Sequence, residues 1–501
     1  MSKLILFSLG GSGERVMNSL VMLLSAGVRV KDNNGVDMSV KPIFLDTDVD
    51  SYALKDAKHK IDTYRALRGK YHDLTPFRDP QNTLFQTEIE EYSSITIDGQ
   101  AMGNLYQLTQ AANFDEGQKA ELQMLFSGVE QNMCLREGFV GRPNIGSIAL
   151  NYLLCNSGVV KNLPINENDK IFFVSSIFGG TGASGFPLTL NYIQDKANIN
   201  VPQNTIAIGA LTLLPYFKTS GERENAKTKI VVDVPAEDNQ DKGTQVDVSV
   251  DSNEFEPKSY AAFLYYDKNL NKDRLSSHYF IGNNDVSEYP NAIGGDSQQN
   301  PSSLLEILAA TAILHFANHS VARNQNNKTI KYYENWSGKE NGYTYKLENI
   351  DDVDFGPEIR KSLVRILLFE YVVKSKIGDY TRDNHGTIAD LYEFTLNDCE
   401  TFKKGYEEFF EILDRWVDDL KDSAHNNSMK FLFKDSIDSY KNEDFLSEMS
   451  SIDEVSSTGF LRNPFRNRTQ SENGWDSFKK EKFTHYLITN AIENIIKNKS
   501  F

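Results

Sequence analysis

The amino-acid sequence predicts an α/β protein with a parallel sheet, a buried central helix and a mostly helical C-terminal region. Short runs of β-branched and aromatic residues alternate with segments of helical periodicity, as expected for strands joined by helical crossovers. Two of these runs end in glycine-rich tracts that lead directly into a helical segment. The segment 304–316 is apolar on nearly every side, which indicates a buried helix.

Composition and charge indicate a large, acidic, globular protein. The chain has 501 residues and a net charge of −17, with 40% hydrophobic and 25% charged residues. The negative charge argues against non-specific binding to nucleic acid or to an anionic membrane. Three widely spaced cysteines are too few for a zinc framework and are typical of a reducing compartment. Because no apolar run reaches the roughly 18 residues that span a bilayer, we expect a cytoplasmic protein.

The strongest single pattern is residues 170–187, which read KIFFVSSIFGGTGASGFP. The apolar start is typical of a buried strand, and helical periodicity resumes after the glycines. Closely spaced glycines let backbone N–H groups approach a ligand, and the helix start adds partial positive charge, so we expect an anion-binding loop. No lysine stands where a Walker A loop requires one, and a glycine turn that only packs a helix on its sheet is the alternative. The candidate contacts in this loop are Gly179, Gly180, Thr181, Gly182, Ala183 and Ser184.

A second unit of strand, glycine tract and helix opens the chain. The apolar run 4–7 reads as a strand, and helical periodicity begins shortly after it. The tract between them contains Gly10, Gly11, Ser12 and Gly13. Read alone, it is one glycine short of the dinucleotide-binding fingerprint. Asn18 lies about one and a half turns into the helix, either as a polar contact to sugar or base or as an ordinary solvated residue.

Carboxylates follow the next apolar run. Residues 42–45 read as a buried strand and lead into DTDVD, which begins with Asp46 and also contains Asp48. Acids at the carboxyl end of a parallel strand lie in the crevice where open α/β sheets bind ligands. They indicate either a place for a hard cation beside a phosphate or the acidic cap of the next helix.

Taken in chain order, these motifs resemble those of the tubulin/FtsZ superfamily. GGTGASG resembles its glycine-rich phosphate loop, although Phe178 and Ala183 depart from the usual pattern. The opening glycine tract is similar to its first nucleotide loop. IFLDTDVDS is similar to its second loop, whose acid helps to hold magnesium, a role that the resemblance assigns to Asp48 with support from Asp46. FVGRPNIG is similar to its third loop, which implies that Arg142 contacts the terminal phosphate.

Two further motifs extend the resemblance to about residue 375. The polar segment before the apolar helix resembles the start of the central helix of tubulin, where an asparagine reads the purine. Asn300 is the matching residue, with Gln298 as its rival. DVDFGPEIR resembles the FtsZ loop that enters the nucleotide site of the next subunit, which implies Asp354 as the chief catalytic residue and Glu358 as the second. A proline replaces one acid of that loop, and an acidic helix start is the alternative.

The resemblance implies a guanine-nucleotide-binding protein. Its ligands would be GTP or GDP with Mg²⁺, and hydrolysis would depend on head-to-tail assembly into a homo-oligomer or filament. One alternative is a non-polymerising nucleotide-binding scaffold whose helical region docks a protein partner and whose hydrolysis is vestigial. A less favoured alternative is an NAD(P)-dependent oxidoreductase built on the first glycine tract. In that reading Asp46 stands about 33 residues after Gly13, whereas the dinucleotide fold places its acid about 20 residues on.

The same motifs suggest where the chain divides. Residues 1–323 are expected to form the nucleotide-binding domain, with insertions near 60–138 and 216–257. Residues 324–501 are expected to form the mostly helical region, a possible partner-binding domain. Within the first insertion, residues 113–132 have the periodicity of one continuous helix.

Overall fold

The computed structural model divides the chain into two compact units. Unit 1 comprises Met1–Ser19, Val30–Lys58 and Ile89–Thr344, and unit 2 comprises Leu20–Arg29, His59–Glu88 and Tyr345–Phe501. The described residues are 1–72, 84–97, 103–139, 141–195, 206–220, 229–232, 244–247, 255–273, 275–283, 287–290, 295–322, 329–337, 355–380, 395–422, 443, 445 and 477–497.

A parallel sheet organises unit 1. The strands of the described residues are β1 (Lys3–Leu9), β2 (Ser39–Leu45), β3 (Ser93–Ile95), β4 (Lys170–Ser176), β5 (Ala207–Leu213), β6 (Phe217–Ser220), β7 (Lys229–Val232), β8 (Thr244–Asp247), β9 (Leu275–Asn283), β10 (Ser287–Pro290) and β11 (Lys331–Ser337). Seven of them form one sheet in the order β11-β9-β5-β4-β1-β2-β3, and all neighbours in it are parallel. The order reverses between β1 and β4, as in doubly wound α/β proteins. The predicted parallel α/β architecture is confirmed.

Helices alternate with these strands along the chain of unit 1 and make up the regular secondary structure described for unit 2. In the described residues they are α1 (Gly10–Ser25), α2 (Tyr52–Tyr71), α3 (Leu105–Ala111), α4 (Glu116–Leu125), α5 (Gly128–Gln131), α6 (Pro143–Asn156), α7 (Gly158–Lys161), α8 (Gly180–Gln194), α9 (Phe255–Asn269), α10 (Leu304–His319), α11 (Phe355–Ser375), α12 (Ile377–Tyr380), α13 (Leu396–Lys404), α14 (Glu407–Asp422) and α15 (Ser477–Lys497). Across the described ranges, none of these helices has both the length and the apolar character needed to cross a bilayer.

Two neighbouring phenylalanines of β4 show that both faces of the sheet are covered. Successive side chains of a strand point to opposite faces. Phe173 packs on Phe186 of α8, with ring centroids 5.8 Å apart, whereas Phe172 packs on Phe316 of α10 at 4.7 Å. Strands of a parallel sheet buried on both faces contain near-continuous apolar runs, such as residues 171–174 of β4, and every residue of β4 is buried.

The predicted buried central helix is α10. Ser303 caps its start through a capping box with Glu306, and all but a few of its side chains are buried. Close packing against β5 requires a glycine, because a Cβ atom on Gly209 would lie 2.3 Å from the Phe316 ring. At the other end, the ammonium of Lys170 donates to the carbonyls of Ala317 and Ser320 at 2.6 and 2.7 Å.

The helix predicted over residues 113–132 is wrong in one respect, because the chain forms two helices there. α4 ends at Leu125, and Ser127 begins α5 by accepting a hydrogen bond from the backbone N–H of Glu130. The Glu130 carboxylate in turn accepts a hydrogen bond from the backbone N–H of Ser127 at 2.9 Å. This reciprocal cap satisfies backbone groups that a continuous helix would use internally, so it favours a break at Phe126.

The regular secondary structure of unit 2 is entirely helical in its described residues, and the unit has its own aromatic core. Tyr71 stacks on Tyr406 and His485, with ring centroids 5.2 and 4.7 Å apart. The Tyr406 hydroxyl and His485 Nδ1 are 2.7 Å apart, and burial lowers the pKa of His485 to about 3. A buried ion pair between Arg365 of α11 and Glu493 of α15 joins two of the helices.

Candidate anion-binding site

The two predicted glycine tracts lie side by side where the strand order reverses. β1 and β4 pair in parallel, so α1 and α8, which follow them, start at the same edge of the sheet. A Cβ atom on Gly10 would lie 3.1 Å from the Thr181 Cβ and 3.2 Å from the Gly182 nitrogen. Ligands of open α/β sheets bind at this kind of switch point.

The third predicted loop reaches the same place. A Cβ atom on Gly180 would lie 3.4 Å from the backbone nitrogens of both Gly141 and Arg142. α6 begins directly afterwards, at Pro143. The N-termini of three helices, α1, α6 and α8, are therefore close neighbours.

The starts of α6 and α8 lack the side-chain caps that other described helices have. α6 and α8 have no side-chain hydrogen bond at their first turn among the described residues, and α1, α6 and α8 have no acid there. In contrast, six other helices among the described residues are capped by Asn104, Asp115, Ser127, Ser157, Ser303 and Thr395. The first N–H groups of a helix have no acceptor within it, and the helix dipole makes them attractive to an anion.

The glycines have two different functions here. Those that allow close packing include Gly13, where a Cβ would lie 2.8 Å from the Val174 carbonyl oxygen, and Gly182, where it would lie 2.8 Å from that of Ser176. Gly10 has a φ of +70°, which favours glycine. At Gly11 a Cβ would meet no described atom within 4 Å, so this part of the loop borders open space.

Asp46 is buried beside the glycine loops. Its Oδ1 accepts hydrogen bonds from both Thr181 Oγ1, at 3.4 Å, and the Asp48 backbone N–H, at 3.1 Å. Burial raises the pKa of Asp46 to about 7, and the neighbouring Asp48 adds to the effect. The carboxyl group therefore keeps its proton to a higher pH than an exposed aspartic acid does.

Glu14 is a second buried acid that the sequence analysis did not single out. It is fully buried, and its Oε2 accepts a hydrogen bond from Ser51 at 3.1 Å. Its Oε1 finds no hydrogen-bond partner in the described part of the chain. Burial, followed by the charge of Asp46, raises the pKa of Glu14 well above its usual value. Two close carboxyl groups, one with an unsatisfied oxygen, suit a cation or a shared proton.

Asp48, the predicted magnesium ligand, joins two loops. Its Oδ2 accepts from the Gly295 N–H at 2.8 Å and its Oδ1 from the Asp50 N–H at 3.1 Å. Burial raises the pKa of this half-buried acid. No group of three or more acidic, His or Cys side chains among the described residues is arranged to hold a metal. Magnesium commonly takes one or two protein carboxylates and completes its shell with phosphate and water, so these acids fit part of such a shell.

Arg15 ties the predicted base-reading segment to α1. Its guanidinium donates to the carbonyls of Asn300 and Pro301 at 2.7 and 2.6 Å, and to Glu306 Oε1 at 2.7 Å. Tyr216 donates to the same Glu306 oxygen at 3.2 Å. The Asn300 side chain accepts a hydrogen bond from Gln298, its predicted rival.

Replacing Arg15 by lysine should weaken this connection. Lysine keeps the charge beside Glu306 but cannot hold two carbonyls with the geometry of a planar fork. For Arg15→Lys we expect the free energy of unfolding to fall by about 1–2 kcal/mol, measured by urea denaturation. Tyr216→Phe removes one hydrogen bond to the same acid and is the matched control, with a smaller expected loss. Equal midpoints for wild type and Arg15→Lys would contradict this account.

The remaining predicted site residues make different contacts. Asn18 lies in α1 with its Oδ1 buried and unpaired among the described residues. Arg142 makes an ion pair with Glu130 at 3.6 Å. Ser184 is buried and donates to the Gly180 carbonyl at 2.8 Å. The other residues of the two glycine tracts that the structure describes at the site are Ser12, Gly179 and Ala183.

The two predicted catalytic residues belong to unit 2. Asp354 lies outside the described residues, and Glu358 lies in α11 with its side chain outside them. Their roles stay predictions.

Comparison with solved structures finds a limited overlap with a known protein. The chain matches no family model and no curated protein sequence. Its structure overlaps that of CetZ from Methanosaeta thermophila with a TM-score of 0.26 and 11% sequence identity. The overlap covers 63% of this chain and 54% of CetZ, about half of that protein's length. An overlap of this size assigns the chain to no family.

Proposed function

We propose that unit 1 binds a nucleoside polyphosphate, GTP or GDP with Mg²⁺, at the convergent starts of α1, α6 and α8. The observation that carries this proposal is the set of adjacent helix N-termini without acids, two of which lack side-chain caps, at the switch point of a parallel sheet. One phosphate needs only one such N-terminus. Three together suit a chain of phosphates.

The residues around the glycine loops support a nucleotide with a divalent cation. Asn18 lies in α1, and Arg15 of α1 holds the backbone of Asn300. The amide side chains of both residues suit contacts to sugar and base. Asp46, Asp48 and the unsatisfied oxygen of Glu14 are the carboxylates that would share the cation with the phosphates. The cation would neutralise charge that otherwise repels the phosphates. The preference for guanine rests on the sequence resemblance.

An NAD(P)-dependent oxidoreductase is a weaker proposal. Its adenosine ribose would need an accessible acid after β2, but only 4% of Asp46 is exposed and its carboxyl accepts from Thr181 of α8. A single glycine loop also suffices for a dinucleotide, which would leave the adjacent starts of α6 and α8 without a ligand.

We further propose that the terminal phosphate is hydrolysed in a cytoplasmic, head-to-tail assembly. The chemistry is transfer of the phosphoryl group to water by positioning and electrostatic stabilisation. On the sequence resemblance, Asp354 and Glu358 of the next subunit are the residues proposed to position the water. A monomer should therefore turn over slowly.

Binding and turnover test the proposal separately. We expect purified protein to bind GTP and GDP in the presence of Mg²⁺ by isothermal titration calorimetry, and NAD⁺ not to compete. Turnover per molecule should rise steeply with protein concentration if assembly completes the site. Failure to bind either guanine nucleotide would overturn the nucleotide proposal. Binding with a turnover that stays flat would remove the assembly step alone.

A groove in unit 2 favours the scaffold alternative as a second candidate. It lies at the side chains of α11, α13 and α14 and surrounds Phe410. Its lining contains both lysines and acids, namely Lys374, Lys403, Lys404, Glu400, Glu407, Glu411 and Asp414. Charged side chains along a groove suit a protein partner of complementary charge. Flat turnover together with GTP binding is the result that this alternative expects.

A further inference from the structure

The glycine loops contain no lysine, but the structure brings a lysine from another helix to the proposed phosphate site. A Cβ atom on Gly141, which has a φ of +69°, would lie 3.4 Å from the ammonium nitrogen of Lys258 in α9. The backbone nitrogen of Gly141 is itself 3.4 Å from the Cβ position of Gly180, at the start of α8. Lys258 therefore reaches the junction between the starts of α6 and α8.

Aromatic packing holds α9 in this position. Phe255, one turn before Lys258, packs on Phe178 with ring centroids 5.0 Å apart. Phe178 immediately precedes the glycine tract. Near the other end of α9, the Tyr266 hydroxyl donates to the Ala183 carbonyl of α8 at 2.9 Å. Both ends of α9 are thus fixed to the glycine-tract segment, which sets where Lys258 lies.

We propose that Lys258 binds the terminal phosphate of the nucleotide, an inference that rests on the proposed function. The neighbours of the α8 start occur in a fixed order. Gly182 faces Gly10 of α1, the helix to which Arg15 ties Asn300. Gly180 faces Gly141, and Gly141 in turn lies beside the Lys258 ammonium. If the base lies on the Asn300 side, the phosphate chain extends past Gly180 and ends at Lys258.

The charge at this end of the site supports the assignment. The starts of α6 and α8 each contribute partial positive charge, and Lys258 adds a full charge. Arg142 stands at the same junction with Glu130 as its ion-pair partner, 3.6 Å away. An ammonium gives a compact charge with three donors and binds phosphate as a point charge. Lys258 would therefore serve as the lysine that a Walker A loop carries within its own sequence.

Comparison of GTP with GDP tests the inference. For Lys258→Gln we expect GTP to bind about 10- to 100-fold more weakly, as for loss of a hydrogen bond to a charged group, and GDP to bind almost unchanged. Lys258→Arg should recover most of the loss. Lys268→Gln is the matched control, because Lys268 is an exposed lysine of the same helix. Melting temperatures of all four proteins show whether they fold alike.

The outcomes separate the inference from the proposed function. If wild type binds GTP and Lys258→Gln binds it equally well, the inference fails and nucleotide binding stands. Equal weakening of GTP and GDP would also overturn the assignment to the terminal phosphate. If wild type binds neither nucleotide, both proposals fail. If Lys258→Gln does not fold, the wild-type protein can be acetylated with the N-hydroxysuccinimide ester of acetic acid. Protection of Lys258 by GTP but not by GDP supports the inference, and equal labelling with both nucleotides overturns it.

Discussion

Gly180→Arg is expected to abolish nucleotide binding while leaving the protein folded. A Cβ atom at Gly180 would already lie 2.8 Å from the Phe139 Cβ and 3.4 Å from two backbone nitrogens of the Gly141–Arg142 turn. Any larger side chain must enter the space between the starts of α6 and α8, where the phosphates are proposed to lie. The affinity for GTP should fall by more than about 100-fold, which corresponds to about 3 kcal/mol.

Stability and binding must be separated in this experiment. Overpacking at Gly180 should itself lower the free energy of unfolding by about 1–3 kcal/mol, which urea denaturation measures. Gly69→Arg is the control, because a Cβ at Gly69 meets no described atom within 4 Å. Wild-type affinity in a folded Gly180→Arg protein would show that the nucleotide lies elsewhere.

The parts of the site that could be predicted are those that depend on short, continuous segments of sequence. A glycine tract between an apolar strand and a helix is visible within about 20 residues of sequence, the scale of one strand–loop–helix unit. Parallel pairing then brings the carboxyl ends of β1 and β4 together without further information. The buried character of α10 was equally visible, since its apolar residues occupy nearly every helical position.

The contacts of Glu14, Arg15 and Lys258 could not be predicted in the same way. Glu14 and Arg15 follow each other in α1, and the sequence does not show that one meets Ser51 while the other meets Asn300 and Glu306. Such partners come from helices and loops far along the chain, so they depend on how whole elements pack. Lys258 is the clearest case, because the aromatic contacts of α9 place it.

The missed break at Phe126 has a different cause. Ser127 and Glu130 form the Ser-x-x-Glu pattern of a capping box, which is readable from the sequence. Hydrophobic periodicity across residues 113–132 concealed it, because two consecutive helices with similar phase give one apparent stripe. The local capping signal was the more informative of the two.

Asp46→Asn is expected to stabilise the nucleotide-free protein above neutral pH. Burial raises the pKa of Asp46 from 3.8 to about 7, so the folded protein binds this proton more tightly than the unfolded chain does. The stability that Asp46 contributes is therefore complete below pH 3.8 and is lost as the pH rises to about 7. Asparagine does not ionise and keeps the acceptor for Thr181 and for the Asp48 N–H. Near pH 8 the variant should be more stable by about 2–4 kcal/mol.

Urea denaturation at pH 5, 6, 7 and 8 without divalent cations measures this difference. The advantage of Asp46→Asn should grow with pH and level off above pH 7, whereas Asp273→Asn, at an exposed position, should behave like wild type. An advantage that does not change with pH would mean that Asp46 is ionised across the whole range in the folded protein.

Because burial controls the ionisation of Asp46, the pH should also affect how the proposed cation and nucleotide bind. At pH 8 the ionised carboxylate lies near Glu14 and repels a phosphate, so nucleotide without Mg²⁺ should bind more weakly at pH 8 than at pH 6. With Mg²⁺ the trend should reverse, because only the ionised carboxylate attracts the cation. In Asp46→Asn both pH trends should become shallow. Identical pH profiles with and without Mg²⁺ would show that the acidic residues at this edge of the sheet do not share a cation with the nucleotide.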